Sequence, residues 1–284
     1  MEIIVGEYSG FCAGVNYTYK KAKEELKKGK IYCLGEIIHN KQVIKELEDM
    51  GMITISKINE VPKGSKVIFR AHGEPLISYN YAKENDIEII DLTCGRVKVI
   101  HNKVLKEKDD SFILIIGKKT HPEIIGTSGF CNNYYIIEDF SDIEESFKSF
   151  NKSKYNKVYV VSQTTFSSSL FDELVLKIKE KYLNIDLKID KTICDATEKR
   201  QNETHSLSKK CTKLLVIGSK NSSNTKELYN VSKINCDDTY FVEDIEDINL
   251  INFKNNDIIG IVAGASAPKY LIDEVVEKIK NIYL

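Results

Sequence analysis

The chain has no apolar run long enough to cross a bilayer. Met1 leads straight into Ile3-Ile4-Val5, without the basic segment and apolar core of a secretory leader. No membrane association is expected, and the protein is expected to be cytoplasmic. It also lacks an excess of charge. With 41 Lys and Arg against 42 Asp and Glu, the net charge is −1, which gives no support for a nucleic-acid or membrane-surface partner. No C-x2-C pair occurs, and seven cysteines are an odd number. The odd number, in a leaderless chain of this length, argues against a disulfide framework and leaves metal binding, catalysis or core packing, while the missing close pair is one that zinc sites usually use. No low-complexity linker or long charge run divides the 284 residues.

What is present is alternation. Short apolar strands are expected at 2–5, 31–34, 52–55, 66–70, 87–91, 112–116, 134–137, 158–161, 186–190, 214–217, 239–242 and 258–262. Helical patterns lie between most of them, among them 41–49, 76–84, 168–183, 224–233 and 269–281. The alternation predicts α/β layers with mainly parallel sheets.

An internal repeat orders these strands. Cys12, Cys94 and Cys194, each at a turn into a helix, lie 82 and 100 residues apart. Gly35, Gly117 and Gly218 end apolar strands 82 and 101 residues apart, and His39, His121 and Ser222 each follow four residues later. A third series, His72, Thr164 and Ser266, closes strands 92 and 102 residues apart. Three series in one order and period predict three α/β units of four strands, related by a pseudo-threefold axis around a central site. The units are placed at 13–94, 95–191 and 192–284, with segment 1–12 joining the third. Strand 2–5 completes the count of four if it pairs there. Loops at the carboxyl ends of strands are where open α/β sheets take ligands.

The series carry chemistry. Cys12 stands in Gly10-Phe11-Cys12-Ala13-Gly14-Val15, where a helix dipole favours the thiolate. Three dispersed thiolates suit zinc or an iron–sulfur cluster. A cubane on three cysteines leaves one iron open to substrate. Cys33, Cys131, Cys211 and Cys236 lie outside the series and read as packing residues. Ser222, Ser223 and Asn224 open a helix, as either an ordinary cap or an anion site. Glu123, in His121-Pro122-Glu123, is either a dipole-favoured helix start or a buried proton carrier. His101 and His205, on expected helices, read as structural or surface residues.

Taken together, Gly10-Phe11-Cys12-Ala13-Gly14-Val15, Ala71-His72-Gly73, Thr93-Cys94, His121-Pro122-Glu123, Gln163-Thr164-Thr165, Gly218-Ser219-Lys220-Asn221-Ser222-Ser223-Asn224 and Ala263-Gly264-Ala265-Ser266-Ala267-Pro268 resemble the 4-hydroxy-3-methylbut-2-enyl diphosphate reductase family (IspH, or LytB). These motifs span the whole chain. The resemblance implies a three-lobed α/β fold and the last step of the methylerythritol phosphate route to isoprenoids. There, two electrons and two protons remove an allylic hydroxyl, giving isopentenyl and dimethylallyl diphosphate. It implies a [4Fe–4S] cluster on Cys12, Cys94 and Cys194, with one iron not ligated by protein. It implies catalytic roles for Glu123, Thr164 and His121. The diphosphate pocket would comprise His39, His72, His121, Thr164, Ser222, Ser223, Asn224 and Ser266. The implied partners are the allylic diphosphate and a ferredoxin or flavodoxin-type electron donor. Gly95-Arg96 after Cys94 departs from the commoner proline, and the loops at 71–75 and 117–121 also depart, though no mapped ligand changes. Competing readings are a dehydratase of the quinolinate synthase type, an iron–sulfur sensor and a structural zinc protein.

Overall fold

The computed structural model describes residues 1–283. Its strands are β1 (Glu2–Val5), β2 (Ile31–Leu34), β3 (Met52–Ile55), β4 (Lys66–Phe69), β5 (Glu88–Asp91), β6 (Phe112–Ile116), β7 (Tyr134–Ile137), β8 (Lys157–Ser162), β9 (Asp186–Ile189), β10 (Lys213–Ile217), β11 (Thr239–Val242) and β12 (Ile258–Ala263). They form three four-stranded parallel sheets, ordered β3-β2-β4-β5, β7-β6-β8-β9 and β11-β10-β12-β1. Each sheet repeats one topology, 2-1-3-4, and β1 serves as the fourth strand of the last set, as the strand count requires.

This topology explains the three series. The glycines follow first strands, the His72, Thr164 and Ser266 loops follow third strands, and the cysteines follow fourth strands. First and third strands are neighbours, and the chain reverses direction between them. Their carboxyl ends therefore flank the crevice where such sheets take ligands.

The helices are α1 (Ala13–Leu26), α2 (Lys41–Asp49), α3 (Leu76–Glu84), α4 (Gly95–Glu107), α5 (Pro122–Ser128), α6 (Asp142–Asn151), α7 (Ser168–Lys181), α8 (Asp195–Ser208), α9 (Ser223–Lys233) and α10 (Lys269–Tyr283). Expected and observed elements agree to within a few residues. Helix α7 stops at Lys181, earlier than expected, and Asn184 just beyond takes φ 65°.

Two compact units result. One comprises residues 1–16, 38–45 and 195–284, and the other 17–37 and 46–194. In the second, β6 is buried along its whole length because both faces are covered. Alternation sends Leu114, Ile116, Val158 and Val160 into one core, and Ile113, Ile115, Tyr159 and Val161 into another. The second core brings the unit's two sheets together. There Phe130 packs on Tyr79 and His101, and a Cβ on Gly126 would lie 3.1 Å from the Gly73 carbonyl. The first unit centres on β10, β12 and α10, with Leu215, Ile261, Leu271 and Val275 in its core. Among the described residues, no helix is long and apolar enough to cross a membrane.

Candidate active site

The three series cysteines share one local design. Cys94 caps α4, while Cys12 and Cys194 immediately precede α1 and α8. The Cys12 Sγ accepts the Val15 N–H at 3.5 Å, and the Cys12 and Cys94 carbonyls each accept the first helical N–H at 2.9 Å. In the second unit, Cys94 and Cys194 donate their own N–H groups to Ala71 and Thr164 of the third-strand loops, each at 3.0 Å. All three are partly exposed.

The remaining cysteines differ. Cys33, Cys211 and Cys236 are buried, and Cys131 is half-buried. Burial pushes the thiols of Cys33 and Cys131 up to about 12 and Cys211 to about 11, and it raises Cys236. Those four stay protonated and poor ligands. The three at helix N-termini are partly exposed, so as a donor set they fit a metal group that binds sulfur.

The second unit also builds an acid. Glu123 opens α5, where His121 is the N-cap and its Nδ1 accepts the Glu123 N–H at 3.1 Å. That bond leaves the ring proton of the neutral imidazole on Nε2. The Glu123 side chain is fully buried, and its carboxylate accepts the Thr164 N–H and the Thr164 hydroxyl, both at 2.6 Å. Burial pushes its pKa up to about 7, against the lowering effect of those two bonds. The bonds span the crevice between β6 and β8. Gln163 steadies the same crevice by accepting the Lys118 N–H at 3.1 Å. The His72 ring meets His121 edge-on, with centroids 5.3 Å apart.

In the first unit, α9 starts on a run of polar residues. Ser222 caps α9 by accepting the Thr225 N–H at 3.3 Å, and Ser223 and Asn224 form its first turn. Asn224 and Ser266 are buried. Among the described residues, neither end of the Asn224 amide nor the Ser266 hydroxyl has a hydrogen-bond partner. The Asn224 NH2 and the Ser266 hydroxyl are donors suited to an anion at a helix N-terminus. Thr225 packs over Gly218 and Gly264, where a Cβ would come within 2.8 and 2.1 Å of its Oγ1. In the same unit, His39 precedes Asn40, whose Oδ1 caps α2 by accepting the Val43 N–H at 3.0 Å.

His101 and His205 lie apart from this chemistry, as expected. His101 stacks on Phe130 at 4.2 Å, and burial pushes its pKa down to about 4. His205 lies 3.3 Å from the Asn235 amide. Sequence reasoning missed Arg200 and Glu203, which bind the turn before Cys12.

Three repeated parallel sheets, a buried acid poised near neutrality in one unit and unpartnered polar groups at a helix N-terminus in the other define an α/β protein of enzymatic type. Comparison with known proteins specifies it. The LytB protein family model matches residues 3–280. The chain is 41% identical to the 4-hydroxy-3-methylbut-2-enyl diphosphate reductase of Caldanaerobacter subterraneus subsp. tengcongensis, covering 99% of this chain and 98% of the relative. It is 36% identical to the reductase of that name from Aquifex aeolicus, covering 99% and 97%. The Plasmodium falciparum reductase structure matches with a TM-score of 0.89 at 32% identity, covering 99% of this chain and 88% of that one. The chain belongs to the LytB family, the iron–sulfur reductases of 4-hydroxy-3-methylbut-2-enyl diphosphate, and that reduction, the terminal step of the non-mevalonate pathway, is its activity.

Proposed function

We propose that Cys12, Cys94 and Cys194 carry a [4Fe–4S] cluster with one iron free of protein ligands, and that Glu123 and Thr164 deliver the proton that releases the substrate hydroxyl as water. When bound, the cluster supplies the electrons and Lewis acidity. The reaction consumes two electrons and two protons. One proton leaves with the hydroxyl oxygen, and the other ends on the allyl carbon.

The carrying observation is the Glu123–Thr164 geometry. Glu123 is half protonated near pH 7. Its Oε1 accepts a backbone N–H that cannot reverse. The proton therefore sits on Oε2, facing the Thr164 hydroxyl. That hydroxyl can accept from Glu123 while donating onward, a two-step relay.

His121, holding its Nε2–H for the substrate, assists at that end. His39, His72, Ser222, Ser223, Asn224 and Ser266 bind the diphosphate with His121 and Thr164. The electrons come from a ferredoxin or flavodoxin-type donor in the cytoplasm. Anaerobic reconstitution, iron and sulfide analysis, and turnover of the allylic diphosphate test the reading. A tightly bound zinc with no iron or sulfide would overturn it.

A further inference from the structure

The turn before Cys12 is gripped by α8. Arg200 is buried, and its Nη2 donates to the Gly10 carbonyl at 2.7 Å while Nη1 donates to Ala196 on its own helix at 2.9 Å. One turn further on, the Glu203 carboxylate accepts the Glu7 N–H at 2.6 Å and the Tyr8 N–H at 3.0 Å. The Lys199 Nζ sits 5.4 Å from the centre of the Tyr8 ring. The turn is shaped to receive these groups. A Cβ on Gly6 would approach the Glu203 Oε2 to 2.8 Å, and Gly10 takes φ +97°, which favours glycine. Helix α8 begins at the residue after Cys194. One helix therefore carries Cys194 at its start and fixes the backbone two residues before Cys12.

These side chains suit the task. A guanidinium fork can hold two carbonyls in fixed directions, and a carboxylate can accept two adjacent N–H groups. We infer that Arg200 and Glu203 are positioning residues for Cys12, setting its thiolate for the metal group. The inference rests on the iron–sulfur reading for its purpose, though not for its geometry.

The test uses Arg200→Gln, Arg200→Lys and Glu203→Ala in the full chain. After anaerobic reconstitution, iron release to a ferrous chelator should be about tenfold faster in Arg200→Gln and Glu203→Ala, as when the support of a metal ligand is lost. Arg200→Lys, which keeps the charge and one donor, should fall between. In iron-free protein, iodoacetamide should alkylate Cys12 at a changed rate in Arg200→Gln and Glu203→Ala, with Cys94 unchanged. Wild-type rates for both iron release and Cys12 alkylation would overturn the inference. If Arg200→Gln does not fold, Glu203→Ala decides by the same two readouts. If the wild type takes up no iron, the cluster reading fails. Cys12 alkylation then decides alone, with an altered rate supporting positioning and an unaltered one refuting it.

Discussion

Thr164 grips Glu123 twice, through its backbone N–H on one carboxylate oxygen and its hydroxyl on the other, each at 2.6 Å. The first bond leaves Oε2 as the oxygen able to carry a proton, and the second sets that oxygen against the Thr164 hydroxyl. Glu123→Gln can keep both bonds, with its amide oxygen toward the N–H and its NH2 toward the hydroxyl, yet it cannot act as an acid. Turnover should fall by about a hundredfold or more, the scale of a lost general acid. Affinity for inorganic diphosphate should be retained. Steady-state kinetics beside calorimetric titration check both, and near-normal turnover would place the proton source elsewhere.

The same carboxyl predicts a pH dependence of stability. Its folded pKa of about 7 lies above the ordinary 4.5. Stability from this group is thus complete below about pH 4.5 and is lost as pH rises through about 7. At about 1.36 kcal/mol per pKa unit, the loss is roughly 3 kcal/mol. The groups facing Glu123 are Thr164 across the crevice and His121, its own helix cap, with His72 against His121. Those histidines are present in wild type and Glu123→Gln alike, so subtraction isolates the carboxyl. Unfolding measured between about pH 5 and 8 should show the wild type losing ground to the variant as pH rises. A constant difference would refute the raised pKa.

The parts of this protein that the sequence made legible are those whose signals are local. Strands buried on both faces are short runs such as Phe112–Ile116, ended by a residue like Gly117, and they stood out at every position. The cysteine, glycine and polar-loop series were visible because each marks the end of a strand of fixed rank in a repeated sheet. Arg200 and Glu203 were not visible, because their partners lie 190 to 196 residues away. A signal did exist. Helix α8 buries Thr197, Arg200, Gln201, Thr204 and Ser208, a polar stripe at helical spacing. Within that stripe, Arg200 reaches the Gly10 carbonyl.

The seven cysteines should separate by position. Cys12→Ser, Cys94→Ser and Cys194→Ser each remove a partly exposed sulfur at a helix N-terminus and should sharply reduce stable iron and activity. Cys131→Ser and Cys236→Ser alter thiols that burial keeps protonated, and iron content should remain at the wild-type level. Iron and sulfide assays after anaerobic reconstitution check this. Full iron in any of the first three variants would remove that cysteine from the ligand set.

Asn224 and Ser266 should show opposite effects on stability and binding. Both are buried, and among the described residues their side-chain polar atoms have no partner. Each unmet group costs about 1–3 kcal/mol. A diphosphate oxygen at the α9 N-terminus would accept from the Asn224 NH2 and the Ser266 hydroxyl, so the cost these donors impose on the ligand-free protein becomes binding energy. Ser266→Ala removes one such hydroxyl, and Asn224→Leu replaces the amide with a branched side chain of similar shape. In the absence of ligand, both variants should melt at or above the wild-type temperature. Their affinity for inorganic diphosphate should fall by about tenfold or more, since a hydrogen bond to a charged group contributes about 1.5–3 kcal/mol. Thermal melts with and without diphosphate read both effects at once. A destabilised ligand-free variant that keeps the full diphosphate-induced rise would mean these groups serve the fold and not the ligand.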